Sequence, residues 1–168
     1  MPASRLHPPN TLAAQVGRTL KRQGLMLATA ESCTGGWVAQ AITAVPGSSV
    51  WFERGFITYT NIAKHEMLDV PAAVLRAHGA VSEATVCRMA EGALRHSHAQ
   101  ISLAVSGIAG PGGATRSKPV GTVCLAWAGD GRVTRSCSMR FKGGREAVRR
   151  QAVFAALQGV LDFLRDGK

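Results

Sequence analysis

The segment Ala30-Glu31-Ser32-Cys33-Thr34-Gly35-Gly36 sets a serine between a short apolar run and the start of a helical pattern. A turn of that kind exposes the hydroxyl, and the free N–H groups at a helix start can stabilise a developing oxyanion. Ser32 is therefore a candidate nucleophile, with Thr34, Gly35 and Gly36 as candidate oxyanion donors. The same residues also read as a plain helix start in which Ser32 or Thr34 only caps. A serine hydroxyl attacks a carbonyl only when a neighbouring base takes its proton. His7 lies near the amino terminus, and His96 and His98 are two apart, a spacing that does not share a helix face. His65 and His78 read as surface residues. Lys64 is the better candidate, because it falls in the first turn of a helix that follows a strand ending in Tyr59. A Ser–Lys pair with a tyrosine nearby carries acyl transfer without histidine or metal. The lysine must then be neutral near pH 7, against an ordinary value of about 10.4, which requires burial or a nearby positive charge. Taken alone, it reads as a solvated surface lysine. Cys33, beside Ser32, is an alternative nucleophile.

Two further features suit an anion. The loop Ser106-Gly107-Ile108-Ala109-Gly110-Pro111-Gly112-Gly113 offers many backbone N–H groups after an apolar run. It lacks the Gly-Lys-Ser/Thr of a Walker loop, and a strand rather than a helix follows it, so it is either a generic phosphate cradle or an ordinary glycine-rich loop. Residues 132–150 hold seven basic side chains against one acid, Glu146. Arg145 and Arg149 share a helix face and can clamp a phosphate, although a solvated basic face has the same composition. The Gly143-Gly144 entry favours the anion site, since a helix N-terminus adds its own positive potential. Cysteine and histidine show no ligand spacing, so neither a metal nor a cofactor is expected.

These residues need a scaffold. Asn10 caps a helix with Leu12, Val16 and Leu20 on one face and Gly24 as its stop. Leu25 to Ala30 is a continuous apolar run that suits a strand buried on both faces. A short helix through Trp37 and Ile42 follows, then a strand over 51–60. Asn61 caps a helix to about Leu68, another begins near Pro71, and a longer one opens at Ser82. Strands are expected at 101–105, 121–128 and 132–141, the last two joined by a Gly129-Asp130-Gly131 hairpin turn, and a long helix closes the chain. Five strands separated mostly by helices predict an α/β fold: a three-layer α/β/α sandwich around a mixed five-stranded sheet, mostly parallel with one antiparallel strand. In such sheets ligands sit beyond the strand carboxyl ends, which points to the loops 31–36, 60–64 and 106–113.

At 168 residues with 46% hydrophobic content, the chain supports one substantial core. Residues 10–168 read as a single domain and 1–9 as a disordered tail. Twenty Lys and Arg against ten Asp and Glu give a net charge of +10, which attracts anions. Tyr59 is the sole tyrosine and aromatic residues make up 5%, too few for a base-stacking platform, so nucleic acid is not an expected partner. The four cysteines form no close pair and fit a reducing compartment. No leader-like apolar segment or spanning stretch is visible, so a cytoplasmic location without a membrane is expected.

Four motifs in order, Ala30 to Gly36, Gly47-Ser48-Ser49 to Tyr59, Ser106 to Pro111, and Lys118-Pro119-Val120-Gly121-Thr122-Val123, resemble the CinA C-terminal family over about residues 11–164. The resemblance implies the three-layer fold and an amidase that converts nicotinamide mononucleotide and water to nicotinate mononucleotide and ammonia. It implies a catalytic set of Ser32, Lys64 and Tyr59; taken with the reading of the residues, the substrate is expected to be held by Thr34, Gly35, Gly36, Ser106, Gly107, Ile108, Ala109, Gly110, Thr122, Arg145 and Arg149. The expected partners are a small mononucleotide and further copies of the chain in a homo-oligomer. A non-catalytic nucleotide-binding module, or a regulatory module associated with competence or DNA damage, is the alternative reading. Two positions depart from the family pattern. Gly112 and Gly144 stand where acids are usual, which makes the expected pocket more cationic.

Overall fold

A computed structural model describes residues 9–166. The expected tail at 1–8 lies outside the described residues, whereas Pro9 already belongs to the first helix. The elements run α1 (Pro9–Gln23), β1 (Leu27–Glu31), α2 (Trp37–Thr43), β2 (Phe52–Ile57), α3 (Asn61–Leu68), α4 (Ala72–His78), α5 (Glu83–Arg95), β3 (Ile101–Gly107), β4 (Thr122–Gly129), β5 (Arg135–Arg140) and α6 (Arg145–Arg165), with a single 3-10 turn at Ser48–Val50.

The sheet order is β2-β1-β3-β4-β5. β1 pairs in parallel with both β2 and β3, while β4 is antiparallel to β3 and to β5. Only β4 runs against the others, as the glycine turn after Gly129 predicts; the Arg132 N–H closes that turn on the Gly129 carbonyl at 3.0 Å. β1 is buried along its whole length and β3 along all but its last residue, which explains why their sequences are runs of apolar and small residues without alternation.

Helices cover both faces. On one side α1, α2 and α6 bury Leu20, Val38, Ile42, Val148, Ala152 and Leu157 against the sheet residues Leu27, Leu103 and Leu125. On the other, α5 brings Val86, Met89, Ala90 and Ala93 onto Ala28, Ala104 and Ala126. The sheet is thus lined by larger side chains on the first face and by alanines on the second, where α5 lies close. α5 also packs against α3: a Cβ at Gly92 would run into the carbonyl of Leu68 at the end of α3.

Some boundaries shift. α3 is capped by Thr60, whose hydroxyl accepts the Ala63 N–H at 3.1 Å, rather than by Asn61. Ser82 caps α5 as its position predicts, accepting from the Thr85 N–H. β3 extends two residues further than expected, through Ser106 and Gly107, because both pair with β4, opposite Cys124 and Val123.

Candidate active site

Three strands run in the same direction at the centre and one edge of the sheet, and their carboxyl ends deliver Glu31 and Ser32 from β1, Thr58 and Tyr59 from β2, and the 108–113 loop from β3. Ser32 stays attached to the sheet through its N–H, which donates to the Val105 carbonyl at 3.0 Å. The chain then turns sharply, and the Gly35 N–H closes back on the Ser32 carbonyl at 3.0 Å. Gly35 and Gly36 both have positive φ, 56° and 97°, a conformation that a Cβ would strain. The glycines therefore make the turn possible.

Lys64 reaches this turn from α3. Its Nζ lies 3.0 Å from Ser32 Oγ, 2.7 Å from the Thr58 carbonyl and 3.4 Å from the Tyr59 carbonyl. The side chain is 1% exposed, and burial pulls its pKa down from 10.5 to about 8, opposed weakly by Cys33. The geometry accommodates both protonation states. An ammonium donates to all three oxygens; a neutral amine keeps two N–H donors on the carbonyls and turns its lone pair to the serine proton. A buried lysine facing no carboxylate and touching a serine hydroxyl is the arrangement that general-base chemistry needs.

Two groups brace the turn from behind, and neither role was evident from the sequence. The Glu31 carboxylate, 1% exposed, accepts the N–H groups of Gly36 and Val38 at 3.0 Å and of Ala39 at 2.9 Å. It is the cap of α2, supplied by the residue before the nucleophile; the signal in the sequence is a lone acid ending an apolar strand. Arg149 donates from Nε to the Cys33 carbonyl at 3.0 Å and from Nη2 to the Thr34 carbonyl at 3.1 Å, with its guanidinium 5.3 Å from the centre of the Trp37 ring. The expected phosphate clamp of Arg145 with Arg149 gives way to two separate tasks, because carbonyls of the turn lie within reach of Arg149.

The oxyanion donors also need correction. The Gly35 N–H is taken by the Ser32 carbonyl and the Gly36 N–H by Glu31. Neither the Cys33 N–H nor the Thr34 N–H has an acceptor among the described residues. Those are the two amides directly after the serine, and they are the ones the turn leaves uncommitted. The Thr34 hydroxyl is fully buried and likewise unpartnered among the described residues. Burial pushes the Cys33 thiol up to about 11, so it stays protonated and weakly nucleophilic.

Tyr59 is placed differently from expectation. Only its carbonyl approaches Lys64; its phenol, 59% exposed, accepts a hydrogen bond from Arg145 Nη2 at 3.1 Å. Arg145 Nη1 donates to the Gly110 carbonyl at 2.8 Å, so one guanidinium joins the end of β2 to the glycine-rich loop. Gly144 precedes Arg145 as an N-cap without a side-chain acceptor, leaving the first amides of the 21-residue α6 without a side-chain partner. Of the remaining expected binding residues, Ser106 is buried within β3, and Gly107 fits there because a Cβ would meet Val123. The Ile108 N–H is held by the Thr122 carbonyl and the Thr122 hydroxyl by the Pro119 carbonyl. These four shape the base of the loop, while Ala109 and Gly110 carry it toward Arg145.

No helix among the described residues is long and apolar enough to cross a membrane, and no three His, Cys, Asp or Glu side chains among them gather in a metal-binding group. Residues 9–164 match the model of the CinA C-terminal domain. The chain is 54% identical over 150 residues to the nicotinamide-nucleotide amidohydrolase PncC of Escherichia coli K12, covering 88% of this chain and 89% of that protein. It is 52% identical over 156 residues to the protein of the same name from Pseudomonas putida, covering 93% and 97%. Among solved structures, the competence/damage inducible protein CihA from Agrobacterium tumefaciens superposes with a TM-score of 0.91 at 44% identity, covering 95% of this chain and 96% of that one.

Proposed function

Because this chain belongs to the CinA C-terminal domain family, we propose that it is a nicotinamide-nucleotide amidohydrolase of the serine–lysine type. Its reaction is the hydrolysis of the carboxamide of nicotinamide mononucleotide to nicotinate mononucleotide and ammonia. The names of the relatives supply the substrate, and the 3.0 Å approach of a buried Lys64 amine to Ser32 Oγ supplies the chemistry.

Ser32 Oγ attacks the carboxamide carbon as its proton passes to neutral Lys64 Nζ. The C=O π pair moves onto oxygen, and the N–H groups of Thr34 and Cys33 receive that charge. Lys64 returns the proton to the amide nitrogen, the C–N bond breaks, and ammonia leaves an acyl ester on Ser32. Water then attacks the ester, with Lys64 again taking and returning one proton, to release the nicotinate product. Arg145 and the start of α6 present positive potential at the rim, where the substrate's phosphate, remote from the reacting carbon, is held. Binding there positions the amide over Ser32. The Thr58 and Tyr59 carbonyls fix the lysine so that only its serine-facing position varies between the two protonation states.

Cys33 is disfavoured as the nucleophile by its buried, protonated thiol. The homo-oligomer forms part of the same proposal: Ile57, Tyr59 and Ile62 stand more than half exposed at the outer edge of β2 and the start of α3. Sedimentation of the purified protein measures it, and a monomer at micromolar concentration would end that part.

The decisive experiment is ammonia release from nicotinamide mononucleotide, compared with Ser32→Ala. Release by the parent protein and a loss of at least about a thousandfold in the variant is expected. Equal release by both would reject the serine mechanism, and none by either would reject the substrate.

A further inference from the structure

A trans peptide is planar, with its C=O and its N–H pointing in opposite directions. Whatever fixes a carbonyl therefore fixes the aim of the following N–H. In the nucleophile turn, the buried amide of Thr34 has no acceptor among the described residues and shares its peptide plane with the Cys33 carbonyl. That carbonyl is gripped by Arg149 Nε at 3.0 Å, while Arg149 Nη2 grips the next carbonyl, Thr34, at 3.1 Å. The Thr34 carbonyl also accepts the Trp37 N–H at 3.0 Å, and its own peptide partner, the Gly35 N–H, is turned inward to the Ser32 carbonyl.

Arg149 is itself fixed. It sits on α6 beside the buried Val148, Ala152 and Val153, and its guanidinium stacks on Trp37. Gly35 passes close enough that a Cβ there would sit 3.7 Å from Nη2. A cation on a carbonyl oxygen also polarises the amide through the C–N bond and makes its N–H a stronger donor.

We propose that Arg149 is a positioning residue for the amidohydrolase reaction: it aligns and polarises the Cys33–Thr34 peptide so that the Thr34 N–H is aimed at the oxyanion before substrate arrives. The proposal rests on the serine mechanism above, but not on the identity of the substrate. Arginine suits the task because its rigid planar fork meets two successive carbonyls at once, whereas a lysine reaches one as a point charge. Since the oxyanion exists only after attack begins, the effect belongs to kcat rather than to KM.

The test compares the parent protein with Arg149→Met and Arg149→Lys by two readouts. One is steady-state ammonia release from nicotinamide mononucleotide. The other is the rate at which a fluorophosphonate probe modifies Ser32, a reaction that builds charge on a phosphoryl oxygen and needs no natural substrate. For Arg149→Met, kcat is expected to fall about 10- to 100-fold with KM within about threefold, and Ser32 labelling to slow in parallel. Arg149→Lys should recover part of both, and it carries the test alone if the methionine variant does not fold by circular dichroism. Labelling at the parent rate, with kcat within about twofold, overturns the proposal. So does a rise in KM at unchanged kcat, which would make Arg149 a substrate ligand. If the parent protein labels but releases no ammonia, the substrate reading fails and the labelling rates decide the role of Arg149.

Discussion

Lys64 is the residue on which the chemistry turns, and its burial has two measurable consequences. With a pKa of about 8, about one molecule in ten carries the neutral amine at pH 7. kcat/KM should therefore climb with pH and level off above about 8, and a profile flat from pH 6 to 9 would remove Lys64 as the base. The same shift is linked to stability. The folded value lies below the 10.5 of the free side chain, so between about 8 and 10.5 the unfolded chain binds more protons and unfolding becomes harder as pH rises. Below about 8 the buried cation weakens the fold by a constant amount. Lys64→Met should abolish activity and erase that upward slope in urea midpoints measured across the window. Cys33 gives the contrast: its thiol is protonated at every physiological pH, and Cys33→Ala should retain activity within about threefold in the ammonia assay. The sequence exposes Ser32 and Lys64 through their positions after strands. It hides Glu31 and Arg149 because their roles consist of bonds to backbone atoms that only the folded turn brings near. Tyr59 shows the reverse failure, since the alternation of a strand end does not reveal that its phenol leaves Lys64 for Arg145.

At the scale of elements, Lys64 reaches Ser32 only because α3 packs tightly on α5. Gly92 is the point of closest approach, against the Leu68 carbonyl. Gly92→Ala should push α3 outward, lowering stability by about 1–3 kcal/mol in thermal or urea unfolding and reducing kcat, since a small displacement of a base is costly. A variant with parent stability and activity would show that the contact relaxes without moving α3. Element identities were legible because the signals were local: the apolar periodicity of α1, α5 and α6, the continuous apolar runs of β1 and β3, and the Gly129-Asp130-Gly131 turn. The extension of β3 through Ser106 and Gly107 was not, because a glycine-rich stretch reads as loop until a partner strand pairs with it. The cap of α2 was hidden for a related reason, since its acceptor lies five to eight residues upstream on β1 instead of at the usual capping position.

For the molecule as a whole, the net charge of +10 and the cationic rim formed by Arg145 and the α6 start favour encounter with a phosphorylated substrate. KM should therefore rise as sodium chloride increases from 50 to 500 mM, by more than kcat changes, because screening weakens attraction but not the buried Ser32–Lys64 contact. The reversed direction of β4 has a different outcome. It brings the chain back to the rim it left after β3, so both ends of the connection are stitched together by the Ile108 N–H on the Thr122 carbonyl and the Gly121 N–H on the Ile108 carbonyl, while residues 111–117 are exposed. A segment clamped at its base in this way can change in length and composition at little cost to the paired strands beneath it.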